Sequence, residues 1–434
     1  MSFASRFVCG LGWLIVVLAA PLSASDRSDI REPTVGPGGV LTLEAAWQAA
    51  LVHQPLLEAA AWEVTARRGA ARRAGTLPFP VLELEFENFS GSGTLAGTGE
   101  MERTLGLAQA VPLGGKLGRA RRLARVEVDL AELEAASQWV ELRAGVWRRY
   151  FAVARAQERI ALAEEDLAIS RELAAAVGKQ VAAGEVSPLD LARIEVESSR
   201  AEIEVARLRG EEEEARLALA STWGTAAPAF TKVEPLATSL PSLPGIETLI
   251  ERFRRSPAVL LAERTVARER AALSLARAQW WPDLEVRGGW RKFQATGEHA
   301  LVAAVSVPLP VFAGTQGGVR EARARVSRSL ALGQAQARER ESALRGTERR
   351  ARELASALRT SADTLLPAAS RAFRGIRRGY ELGEKSLLEL LEAKRTLLES
   401  RRTRLELTGD YLDLVCELEG LAPAIPDNPK EKGN

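Results

Sequence analysis

Two short stretches gather the side chains best placed for chemistry, and they are spaced alike. One is "GEVSPLDL", from Gly184; the other is "YELGEKSLLELLEA", from Tyr380. In both, a glycine is followed three residues on by a serine: Gly184 and Ser187, then Gly383 and Ser386. A glycine just past a helical turn stops a helix, and a serine at the next N-cap starts one. Glu389, three residues beyond Ser386, completes a capping box, and Asp190 lies equally far beyond Ser187. A carboxylate there also suits the positive end of the helix dipole. Tyr380, Lys385 and Glu392 add a phenol, an ammonium and a second carboxylate around the same turn. This chemistry is hydrogen bonding and ion pairing at a helical tip.

Other chemistries lack their residues. The two histidines, His53 and His299, lie in unrelated segments without acidic or cysteine partners at ligand spacing, so no metal site is expected. Apart from Met1, Met101 is the only methionine, which leaves no thioether path for soft metals. "PLGGKLG" (112–118) lacks the spacing of a phosphate loop, and "GSGTLAG" (91–97) lacks that of a dinucleotide fold. No nucleophile comes with a base and an orienting group, so neither an enzyme nor a cofactor is expected. Lys plus Arg number 59 against 57 Asp plus Glu, and that balance gives no field for nucleic acid. The run Glu211 to Glu214 reads as a solvated face. Cys9 lies near the start of the apolar N-terminal run and should leave with a signal peptide, and Cys416 then stands alone, a buried small apolar residue, so no internal disulfide is expected.

What positions the two tips is a duplicated chain. Pro55 and Pro257 are 202 residues apart, as are Pro80 and Pro282; Gly184 and Gly383 are 199 apart. A period near 200 means two copies of one unit rather than a solenoid. In the first copy no proline occurs between Gly115 and Ala183. Apolar residues recur every seven there, at Val126, Leu133, Val140, Trp147, Ala154 and Ala161. That is a coiled-coil seam on a helix of roughly 105 Å at 1.5 Å per residue. Pro367 is expected to kink the matching helix of the second copy. Upstream, Arg6, the apolar run Phe7 to Ala20 and the small residues before Asp26 read as a secretory signal cleaved after Ala24.

Each copy also holds alternating segments. In "PVLELEFENF", Leu82, Leu84 and Phe86 point one way and Glu83, Glu85 and Glu87 the other. In "DLEVRGGWRKF", Leu284, Val286 and Trp290 oppose Glu285, Arg287 and Arg291. With "TLGLAQAV" and "ALVAAVSVPL" they make two hairpins of about ten-residue strands, the length that crosses a bilayer when tilted. Two small soluble sheets on a periplasmic coiled-coil scaffold or adaptor would use the same pattern. If the strands span a membrane, four cannot close a barrel, because single-chain barrels start at eight, so several chains must pool them. The apolar side chains would then face lipid and the charged ones a water-filled pore.

The chain resembles the TolC-type outer membrane efflux proteins over almost all of its mature length. The resemblance is carried by the two tips and by "VPLPVFAGTQGGVREARARV" (Val307 to Val326), which is most similar to the outer membrane components of cobalt-zinc-cadmium resistance systems. It implies a mainly α fold with a membrane β-barrel. Three chains form an α-helical coiled-coil barrel and a 12-stranded barrel, four strands per chain. It implies a homotrimer in the outer membrane of a Gram-negative bacterium, extending into the periplasm. The partners would be a periplasmic membrane-fusion adaptor and an inner-membrane resistance-nodulation-division pump. The cargo implied is heavy-metal cations, with drugs or secreted proteins as the alternatives. It also implies that Asp190, Tyr380, Lys385, Glu389 and Glu392 form the periplasmic gate. Gly184, Val186, Ser187, Leu189, Gly383, Ser386 and Leu388 would shape the tip turns and dock the adaptor.

The expected layout is a signal peptide (1–24), a linker (25–40), a first repeat (41–224), a linker (225–244), a second repeat (245–422) and a tail (423–434). In the first repeat the hairpin occupies about 80–112, the long helix 115–183, the tip 184–188 and the return helix the remainder to 224. In the second repeat the corresponding spans are 282–309, 317–382, 383–386 and a return helix to 420.

Overall fold

The computed structural model describes residue 35 and residues 39–236, 241–309 and 314–424. The expected signal and its cleavage site lie outside these residues, as do most of the first linker, four residues of the Val307–Val326 stretch and the tail beyond residue 424. In chain order the elements are β1 (Val40–Leu41), α1 (Leu43–His53), α2 (Pro55–Arg73), β2 (Val81–Glu87), β3 (Glu102–Pro112), α3 (Lys116–Ala182) and α4 (Pro188–Ala220). There follow β4 (Lys232–Val233), α5 (Ile246–Arg254), α6 (Pro257–Ala278), β5 (Asp283–Phe293), β6 (His299–Ser306), α7 (Gly314–Thr360), α8 (Leu366–Glu381) and α9 (Leu387–Leu421).

α3 runs for 67 residues without a break, about 100 Å at 1.5 Å per residue. Its buried stripe follows the expected seam through Leu133, Val140 and Ala154. It then leaves the seam: Ala161 is exposed, and Ala163, Ser170 and Val177 carry the burial instead. A helix with 3.6 residues per turn drifts about 20° per heptad against a strict seven-residue repeat. Five heptads turn the buried line by about 100°, one residue, which takes it off Ala161 and corrects the last seam position.

The matching helix of the second copy is interrupted. α7 ends at Thr360, a five-residue π turn covers Ser361–Leu365, and α8 starts with Pro367 in its first turn. Proline lacks the N–H for an i to i−4 bond and its ring crowds the preceding turn. The wide turn just upstream accommodates both effects, so the break falls before the proline rather than at it.

The compact units cut across the repeats. One unit comprises Ala60–Ala135 and Pro257–Ala337; the other comprises the described parts of Met1–Ala59, Ala136–Ser256 and Arg338–Asn434. Each repeat therefore supplies chain to both. In the larger unit, a core of Leu41, Trp47, Val146, Tyr150, Trp223, Phe230 and Val233 closes around a parallel pair, β1 with β4. This corrects the two linkers: Val40 and Lys232–Val233 lie in strands, and Phe230 is fully buried. The segment is rich in proline and threonine, but its apolar residues pay for its ordering by burial. Tyr150 ties the pair together, donating to the Leu41 carbonyl at 3.1 Å and accepting from the Glu234 N–H at 3.1 Å.

In the same unit α3 is joined to the second-copy helices by polar bridges along its length. Arg143 meets Glu419 at 2.9 Å and lies over the rings of Trp139 and Trp147, 4.9 and 5.4 Å from their centroids. Arg155 reaches Asp413 at 3.5 Å, Glu165 pairs with Arg401, and Glu172 pairs with Arg377 at 2.6 Å. Lys394, 5% exposed, is held by Asp166 and by the Ser170 hydroxyl.

Candidate functional site

The tips belong to the larger unit. α3 and α8 end in the same motif. Gly184 and Gly383 both have φ of 75°, the left-handed conformation that only glycine adopts without a Cβ penalty. The Glu185 N–H donates to the Gln180 carbonyl at 2.9 Å and the Gly184 N–H to Val181 at 3.0 Å. Their counterparts are Glu384 to Gly379 at 2.8 Å and Gly383 to Tyr380 at 3.0 Å. These are the paired bonds of a Schellman stop. Ser187 and Ser386 then cap α4 and α9, accepting from Leu189 N–H at 3.2 Å and Glu389 N–H at 3.3 Å. Beneath the turns lies a shared core of Leu173, Val177, Ile194, Phe373, Leu387 and Leu390, with Val186 and Tyr380 packed on it. Leu189 and Leu388 point outward, 69% and 66% exposed.

The five expected gate residues separate into different contacts. Tyr380 donates its hydroxyl to Gln180 Oε1 at 2.9 Å, a link between the two copies. Burial pushes the phenol pKa up and the nearby Asp190 carboxylate adds to the effect, so the hydroxyl stays a donor. Asp190 itself pairs with Arg193 at 3.3 Å, one turn along. Lys385 pairs with Glu389 at 2.8 Å. Within the protomer, then, Asp190, Tyr380 and Lys385 do not form one mutual link; the tyrosine's partner is Gln180. Glu389 accepts from Lys385, from the Ser386 N–H at 2.9 Å and from the Ser386 hydroxyl at 3.1 Å, and these donors hold its carboxyl down at about 2. It completes the capping box. Glu392 is exposed and no ion pair reaches it among the described residues. Gln180 escaped the sequence reading because a glutamine near a helix end has no signature. The repeat supplied one signal, since Gln180 and Tyr380 are 200 residues apart, almost the 199 that separates the two tip glycines.

The strands belong to the smaller unit. They form one antiparallel sheet in the order β2-β3-β5-β6. Its register sorts the faces cleanly. Leu84, Leu105, Trp290 and Leu301 form one cross-strand row, and Val111 stands beside Leu284. Leu82, Leu84, Phe86, Val286 and Trp290 are all exposed, while Leu284 is half-buried. The opposite face carries Glu83, Glu85, Glu87, Glu102 and Glu285 with Arg287 and Arg291. Arg287 bridges to Glu83 at 2.7 Å; Arg291 bridges to Glu87 at 2.8 Å and Glu102 at 2.7 Å. On this face Gly106 stands opposite Gly289. A Cβ on Gly289 would stand 3.0 Å from the Leu105 carbonyl. Only glycine permits so close an approach of the two strands. Both outer edges, of β2 and β6, are unpaired among the described residues.

No helix among the described residues is long and apolar enough to cross a membrane, and none of them come together as a group of three or more possible His, Cys, Asp or Glu metal ligands. Known proteins match this chain over most of its length. The family profile described as outer membrane efflux protein covers residues 46–225 and 251–422. The cobalt-zinc-cadmium resistance protein CzcC of Cupriavidus metallidurans is 33% identical over 367 residues, 83% of this chain and 84% of its own. The nickel-cobalt-cadmium resistance protein NccC of Alcaligenes xylosoxydans xylosoxydans is 28% identical over 292 residues, 65% and 64% of the two chains. Among solved structures, VceC of Vibrio cholerae has a TM-score of 0.75 at 20% identity over 88% of this chain and 96% of its own. CusC has a TM-score of 0.73 at 20% identity over 88% and 92%. The fold class is thus that of the TolC-type channels, long helices with a β domain, and proteins of this kind are channels rather than enzymes. With one profile falling on both repeats, and a relative one-third identical over most of both chains, the chain belongs to the outer membrane efflux protein family.

Proposed function

We propose that this outer membrane channel is the exit duct of a tripartite system for heavy-metal cations. A periplasmic membrane-fusion adaptor and an inner-membrane resistance-nodulation-division pump would feed it. The observation that carries the reading is the sheet: one exposed apolar face, one charged face and two open edges. Unpaired edges are not tolerated in lipid, so copies must complete one another, and three chains give twelve strands. From Leu105 to Val111 the apolar rows extend about 20 Å along the strand, about 16 Å along the membrane normal at a tilt near 40°, within the roughly 25 Å apolar band of such barrels. Glu83, Glu85, Glu87, Glu285, Arg287 and Arg291 would then line the pore, while Leu82, Leu84, Phe86, Leu284, Val286 and Trp290 meet lipid. Carboxylates outnumber guanidiniums on that wall, which favours cations.

The long helices would continue the duct through the periplasm and end at the tips. There Tyr380 with Gln180, and Asp190, Lys385, Glu389 and Glu392, govern the mouth. The exposed Leu189 and Leu388 beside the turns at Gly184, Val186, Ser187, Gly383 and Ser386 offer the adaptor its contact. Metal cargo is supported by the resistance functions named for CzcC and NccC. The chain would not select the ion by coordination, so selection lies upstream. Deleting the protein should sensitise its host to zinc, cobalt or cadmium but not to common drugs; sensitisation to drugs alone would refute the metal reading. The mature protein should fractionate with the outer membrane as a heat-modifiable oligomer.

A further inference from the structure

The apolar face of the sheet ends in a row unlike the others. Arg103 is opposite Lys292, and Lys292 is opposite His299, so three basic residue types stand side by side across β3, β5 and β6. Neighbouring strands are about 4.8 Å apart, so the row spans about 10 Å. Arg103 and His299 are exposed and Lys292 is half-buried. No ion pair reaches Arg103 or Lys292 among the described residues, and the four strands place no carboxylate on this face. The carboxylates at the same level, Glu87 and Glu102, lie on the opposite face and are engaged by Arg291. Directly inward, Trp290 stacks on His299 with centroids 4.5 Å apart, beside Leu105 and Leu301. The row sits at the strand ends joined by the loops 88–101 and 294–298; the other ends lead into helices.

Unpaired cations bordering an exposed apolar surface, with a tryptophan between, match the boundary of an anionic lipid layer. A guanidinium binds a phosphate through two parallel hydrogen bonds and an ammonium binds it as a point charge. Both stems can lie along the apolar surface while the heads reach outward. We propose that Arg103, Lys292 and His299 form a docking rim for the phosphate groups of outer-leaflet glycolipid. This rests on the reading that the apolar face meets lipid. Each protomer would present one such rim.

The test uses the full-length trimer in phosphatidylcholine nanodiscs doped with bisphosphorylated lipid A or its dephosphorylated form, with retained lipid counted by native mass spectrometry. The wild type should retain the phosphorylated form. R103Q/K292Q should lower that preference roughly thirtyfold (about 2 kcal/mol), from about 1 kcal/mol per basic residue near an anionic surface. R103K/K292R, which keeps the charge, should retain most of it. Equal retention of both lipids by the wild type, or an unchanged preference in R103Q/K292Q, would overturn the rim. Brominated acyl chains separate this from failure of the underlying reading. If the quenching lost on W290F reports contact with the chains, the apolar face meets lipid whatever the rim does. If Trp290 is not quenched, the orientation of the sheet is wrong and the rim falls with it.

Discussion

Replacing Tyr380 with phenylalanine removes one hydroxyl and leaves the packing of the ring on Phe373 and its neighbours in place. The lost interaction is a single neutral hydrogen bond, 2.9 Å to Gln180. Such a bond contributes about 1 kcal/mol net, and the site is only half-buried, which argues against a larger figure. If three protomers hold the mouth through this link, as proposed, and the link is made only in the closed state, the bond is lost three times, about 3 kcal/mol in total. That shifts a closed-to-open equilibrium by roughly 150-fold at 1.4 kcal/mol per decade. Single-channel recording of Y380F in planar bilayers should therefore show a large rise in open probability or mean conductance. Q180L should act in the same direction, and the double variant should add little to either single change, because both remove the same bond. Fully additive effects, or wild-type conductance in Y380F, would refute the idea that this link holds the mouth.

The remaining predictions concern the framework of the tips. Gly383→Ala leaves room for the new Cβ, since nothing lies within 4 Å of it, but forces alanine to φ 75°; thermal dissociation should report a loss of about 1 kcal/mol per protomer. Glu389 has a depressed carboxyl, so its stabilising contribution is complete above about pH 4.5 and disappears as the pH falls through about 2. In E389Q, amide exchange at the start of α9 should be faster at pH 7 and should converge with the wild type near pH 2. Lys394→Ala leaves Asp166 and Ser170 without their buried partner and should cost about 2 kcal/mol in thermal unfolding; an unchanged melting temperature would show that pair to be incidental.

Much of this was legible in the chain because it depends on local rules. The glycine-to-serine spacing at 184 and 383 specifies a stop and restart wherever the helices pack. Strict alternation in β2 and β5 fixes which residues share a face, because a strand has a period of two. Pro367 marked the break in the second long helix, although the π turn that absorbs it lies upstream. What escaped depends on distant contacts. Lys394 reads as a surface lysine until α3 brings Asp166 and Ser170 to it. β1 and β4 are two residues each, far below the length at which a pattern emerges, and they pair across 192 positions (Val40 with Lys232). Tyr380 was found through its motif; Gln180 was defined only by the geometry between the copies.

The order of the strands has a consequence for how the protein is made. The sheet is stitched at its centre by β3 against β5, and Pro112 and Asp283 of that pairing are 171 residues apart in the chain. At about 5–20 residues per second of synthesis, the first hairpin waits roughly ten to thirty seconds before its partner strand exists. During that time Leu82, Leu84, Phe86, Leu105 and Leu107 are a ready-made aggregation surface beside an unsatisfied β3 edge. Any delay between the two hairpins leaves that surface uncovered, so whatever shields the first hairpin until the second arrives favours assembly.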